Sequence, residues 1–134
     1  MQAVEYFKRM LDDGCIMAVS TIALAEYAIK DTISSLPLRN LRIIAFNYKH
    51  AEKSGLFGLT VQGCRKEYEQ IGRTIVLNDS KMFAQAEVEG VDYIISADSK
   101  AEKIYNTLKE KCLVSGIYVD ITTTPLTTLT ETLF

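Results

Sequence analysis

Hydrophobic positions along this chain change period repeatedly, and each change marks an element boundary. Val4, Phe7, Met10 and Leu11 recur at helical spacing, which predicts an amphipathic helix over residues 2–12, stopped by Asp12-Asp13-Gly14. Residues 15–20, CIMAVS, read as a short buried strand, and Ser20 or Thr21 is placed to cap a helix from about Ile22 to Ile33. Pro37 marks a loop, and LRIIAF at 41–46 reads as a second strand. A helix is expected from Tyr48 to Lys53, broken by Gly55 and Gly58, and another from Thr60 to Ile71, ended by Gly72. Asn78-Asp79-Ser80 should open the next helix, which runs to Glu89 and stops at Gly90. YIIS at 93–96 is a third strand, Ser99 to about Leu113 a helix, and IYVDI at 117–121 a fourth strand. Pro125 stands at a plausible helix start in the threonine-rich tail.

Strands that alternate with helices call for a three-layer α/β/α fold with a mostly parallel sheet. The continuously apolar strands suit a sheet covered on both faces, and ligands then belong at the strands' carboxyl ends. With 134 residues, no repeat and no linker, a single domain over 1–134 is expected. Hydrophobic residues at 48% and charged residues at 24% fit an ordinary globule, and a net charge of −2 argues against a broad basic surface for nucleic acid. A divalent cation could meet phosphate instead. The three cysteines, Cys15, Cys64 and Cys112, form no CxxC pair, and His50 is the one histidine, which disfavours structural zinc. Each thiol is expected free and buried in a reducing cytoplasm. The longest apolar stretch, Cys15 to Ile29, is interrupted by Ser20, Thr21 and Glu26 and is too short for a membrane span.

Three acidic residues stand in unusual places. Glu26 lies in IALAEYAI, where its neighbours are apolar, so burial would demand a metal, a hydrogen-bond donor or a salt bridge to a lysine or arginine. Asp79 falls where a helix start is expected, and capping alone would explain it. Asp98 follows the strand YIIS by two residues, at a carboxyl end, where it could equally cap the next helix. Glu87, Glu89, Glu102 and Glu110 read as solvated helix faces, and His50 as a packing or surface residue. Neither GxGxxG nor GxxxxGK[ST] occurs, so dinucleotide and P-loop chemistry lack their signatures.

Two stretches together resemble a PIN domain, the fold of VapC-like ribonuclease toxins. They are MAVSTIALAEYAIKD (17–31) and NDSKMFAQAEVEGVDYIISADSK (78–100), the latter closing on Ser-x-Asp, and Thr124-Pro125-Leu126 suits how such domains often end. Carried over by motif, Glu26, Asp79 and Asp98 match three of the family's acidic positions. The resemblance implies that they bind Mg²⁺ or Mn²⁺ and hydrolyse RNA phosphodiesters, with hard oxygen ligands selecting such ions. Close to these acids in sequence, Ser96 could position Asp98 or a metal-bound water, and Lys81 and Lys100 either contact phosphate or are ordinary surface lysines. The resemblance further implies that an antitoxin protein blocks the site and that the domain forms a homodimer. The family's opening strand, which ends in aspartate, has no counterpart in residues 1–14. The chain is therefore expected to be N-terminally incomplete, completed by a neighbouring strand, or a catalytically degenerate module that binds protein or RNA.

Overall fold

The structure, a computed structural model, describes residues 2–63 and 73–124. Its elements are α1 (Gln2–Asp12), β1 (Ala18–Ser20), α2 (Thr21–Lys30), β2 (Arg42–Ile44), α3 (Tyr48–Gly63), α4 (Arg73–Val88), β3 (Tyr93–Ser96), α5 (Ser99–Glu110) and β4 (Ile117–Asp120). Single 3-10 turns at Ile33–Ser35 and Leu38–Asn40 lead from α2 into β2. The expected mixed α/β alternation is present. Among the described residues the strands form two separate parallel pairs, β1 with β2 and β3 with β4, rather than one sheet. Ser20 lies opposite Ile44 in the first pair, and Ser96 opposite Asp120 in the second.

The β3–β4 pair carries helices on both faces. Alternation along the strands sends Tyr93, Ile95 and Val119 toward Tyr6 and Met10 of α1. Ile94 and Tyr118 go the other way, into a larger cluster with Phe57 and Val61 of α3, Phe83 and Ala84 of α4, and Ala101, Ile104, Tyr105 and Leu108 of α5. Phe83, Tyr105 and Tyr118 meet at centroid separations of 5.4–6.2 Å, with Phe83 edge-on to both tyrosines. Tyr6 donates to the Thr124 carbonyl and Tyr105 to the Gly116 carbonyl, so both buried hydroxyls are satisfied. A Cβ on Gly116 would sit 2.9 Å from the Val91 carbonyl oxygen, which requires glycine there.

Three helices end alike. After α1, α4 and α5 the chain turns through a left-handed residue, and two backbone bonds close a Schellman motif. The left-handed residue is Gly14 after α1 and Gly90 after α4, but Cys112 after α5. In the last case Leu113 N–H donates to the Leu108 carbonyl at 3.0 Å, and Cys112 N–H to the Lys109 carbonyl at 3.0 Å.

Several expectations are corrected. Gly55 and Gly58 do not break a helix; α3 runs through both. Helix α4 begins at Arg73, so Asp79 lies past its first turn and cannot cap it. The strands are not covered on both faces throughout, because Ile43 is 49% and Ile117 47% exposed. Cys15 is half-buried and Cys112 exposed, not buried. For His50 the packing reading holds, since it is fully buried: its Nδ1 accepts from Asn47 N–H, and its Nε2 lies 2.8 Å from Glu89 Oε1. Glu89 is therefore a partner, not merely a solvated acid, and Glu87 likewise accepts from the backbone and hydroxyl of Ser115 at 2.9 and 3.0 Å. The expected helix end at Gly72, Cys64 and the tail beginning at Pro125 lie outside the described residues. No described helix is long and apolar enough to cross a membrane.

Candidate functional site: a buried aspartate near two carboxylates

The site is built where α2 meets α4. Ser20 caps α2, accepting from Ile22 N–H at 3.0 Å, and its hydroxyl donates to Gln85 Oε1. Gln85 is 2% exposed, and its amide also donates to the Ile44 carbonyl at 3.2 Å. One side chain of α4 thus joins the carboxyl ends of β1 and β2. About two helical turns earlier on α4, Asn78 Nδ2 donates to Glu26 Oε1 at 3.2 Å. Ser20 meets Gln85 and Glu26 meets Asn78, so α2 and α4 run antiparallel, and the buried Gln85 clamp fixes their register. That register brings Glu26 toward Asp79.

Glu26 itself is exposed, which corrects the expectation of a buried carboxylate; the apolar run of α2 buries only Leu24. The buried acid is Asp79, at 6% exposure, and its Oδ2 has no hydrogen-bond partner among the described residues. Burial chiefly, then the charges of Asp98 and Glu26, push its carboxyl from 3.8 up to about 7. An orphaned carboxylate oxygen beside two further acids is poised for a cation or a proton.

Asp98 lies at the other strand pair. Its Oδ1 caps α5 by accepting from Lys100 N–H at 2.9 Å, so the capping role holds. The turn is braced from both sides. Asp98 N–H donates to Ser96 Oγ at 3.0 Å, and the Tyr118 hydroxyl donates to the Asp98 carbonyl at 2.7 Å. Ser96 is thus placed to position the Asp98 turn. Lys100 is exposed in the first turn of α5. Lys81 is two residues from Asp79, on the far side of the helix, and lines a groove with Phe46, Gly55, Gly58 and Leu77. The structure does not bring Lys81 to the carboxylates.

Three site neighbours escaped the sequence reading: Asn78, Tyr118 and Asp120. Asp120 ends β4 opposite Ser96, and the rule that singled out Asp98, an acid at a strand's carboxyl end, would have found it. Its Oδ1 accepts from Thr122 N–H at 2.8 Å and from the Thr122 hydroxyl, which holds its carboxyl below the usual value. Asn78 and Tyr118 gave no signal, because their roles depend on contacts distant in sequence.

Mg²⁺ typically keeps much of its water shell and needs one or two direct carboxylates, so the donor chemistry here suits it. The Asp79 Oδ2 orphan is the specific observation of fit. A ready-made cage is absent: among the described residues no three Asp, Glu, His or Cys side chains are grouped to hold one ion. No protein-family model, curated protein or solved structure matches the chain.

Proposed function

We propose that this chain is a PIN-like ribonuclease domain that uses Mg²⁺ or Mn²⁺. The observation that carries the reading is the unpartnered Oδ2 of buried Asp79, facing the charges of Glu26 and Asp98. Once ionised, a buried carboxylate with two acids near it costs stability unless something cationic compensates. Asp79 would hold the ion together with Glu26 or Asp98, from α2 and from the β3–α5 turn. When bound, the ion would polarise a phosphodiester and offset its charge. Ser96 would orient the Asp98 turn, and exposed Lys100 would meet the RNA backbone. Lys81, on the opposite side of α4, would serve a more distant part of the strand. In this reading the two strand pairs are halves of one three-layer fold, the protein is cytoplasmic, and its partners are RNA, an antitoxin protein and a second copy of the chain.

A degenerate binding module is the second reading. It is favoured by the lack of a three-ligand group among the described residues.

Cleavage of single-stranded RNA by the full chain with Mn²⁺, against EDTA, separates the two. Asp98→Asn is the sharpest control, because asparagine caps a helix as well as aspartate and only the charge is lost. Cleavage abolished by EDTA and by Asp98→Asn is the expected result. A pure, folded sample that never cleaves leaves the binding module.

A further inference from the structure

We propose that Asn78 is a positioning residue of this site, holding the Glu26 carboxylate toward Asp79 so that the pair meets a divalent cation together. The inference rests on the cation-binding reading above. Glu26 is exposed on α2 and is free to sample rotamers that point into water. The one side-chain hydrogen bond described for it is the 3.2 Å bond from Asn78 Nδ2, which crosses from α4. Asn78 is the residue next to Asp79, so the bond ties Glu26 to the very turn of α4 that carries the orphaned oxygen. An amide suits this task. It donates to a carboxylate without neutralising it, whereas a lysine would occupy the cation's place.

Gln85 supports the assignment. Two turns along α4, it fixes the start of α2 through Ser20 and the end of β2 through the Ile44 carbonyl. With the backbone of α2 held by that buried clamp, Asn78 has only the Glu26 side chain left to orient.

The test is calorimetric titration of the full chain with Mn²⁺ for the parent protein, Asn78→Ala, Glu26→Ala and the double variant. Asn78→Ala should weaken Mn²⁺ binding about 10- to 100-fold, as loss of a partner that orients a ligand does. In the Glu26→Ala background the same substitution should change nothing further, because Glu26 is what Asn78 acts through. The metal-free melting temperature should hardly move. Asn78→Asp should also weaken binding, by setting an acceptor against Glu26. Tighter binding by Asn78→Asp would make residue 78 a direct ligand and overturn the proposal. So would effects that add in the double variant, while leaving the cation-binding reading intact. A parent protein that takes up no Mn²⁺ overturns both. NMR of the Asn78 side-chain amide in EDTA reports the contact without metal: Glu26→Ala should shift one of its protons, and an unmoved resonance rejects the positioning role.

Discussion

The two parallel strand pairs are similar in length and unlike in support. Around β3–β4, Ile104, Leu108 and Phe57 on one face and Tyr6 on the other are fully buried. Around β1–β2, Leu24 of α2 is buried, while Ile29 is 84% and Ile16 88% exposed. Hydropathy does not explain this, since α2 is the more apolar helix: IALAEYAI against SKAEKIYNTLKE in α5. Position explains it. Helix α5 has a narrow apolar stripe aimed at a filled core, whereas α2 is apolar all round with a neighbour on one side. The β1–α2–β2 unit is tied to α4 by the buried polar clamp of Gln85.

The widest gap should appear in core truncations. Ile104→Ala should cost roughly 2–5 kcal/mol in chemical denaturation, the range for a large-to-small change in a packed core. Ile29→Ala should stay within about 0.5 kcal/mol, as surface changes do. Comparable losses would mean that α2 is covered in solution.

Asp79, on α4 between the two units, makes the comparison depend on pH. Its folded carboxyl is raised to about 7, so the folded state keeps a proton that the unfolded chain releases near 3.8. The stabilisation from this group is complete below the unfolded value and is lost as pH rises through 7. The loss is at most on the order of 4 kcal/mol. Melting temperature without metal should therefore fall from pH 4 to pH 7.5, and Asp79→Asn should flatten that fall. Mn²⁺ should restore the parent protein at the upper end. A profile unchanged by Asp79→Asn would show that another group sets it.

Removing a clamp should loosen one unit and spare the other. Gln85→Leu leaves the Ile44 carbonyl and the Ser20 hydroxyl without this partner, a penalty of about 1–3 kcal/mol. Hydrogen exchange should speed up across residues 18–44 and remain slow in α5 and β3–β4. Uniform acceleration would argue that the two units unfold together.

The smallest effect refines the better-packed half. Cys112 holds the left-handed position that glycine occupies in the two other Schellman motifs. Cys112→Gly should stabilise by about 0.5–1 kcal/mol, relieving Cβ crowding less the entropy glycine adds to the unfolded chain. No gain in denaturant midpoint would mean the thiol makes a compensating contact.

The α/β alternation was legible in the sequence because it depends on period and turn chemistry, which neighbouring residues determine. The helix from Gln2 to Asp12, its stop at Gly14, the strand at 93–96 and the Asp98 cap all follow from local rules. Glu26, Asp79 and Asp98 were also visible locally, as acids out of keeping with their surroundings. The start of α4 was misplaced because Asn78-Asp79-Ser80 has the composition of a cap, and the helical residues before it outweigh that preference. Burial could not be read locally at all. Whether the apolar α2 is covered, whether Glu26 or Asp79 loses water, and whether Asn78 and Gln85 face α2 depend on what lies across the interface. Desolvation and hydrogen-bond satisfaction belong to pairs of segments, and only the tertiary structure pairs them.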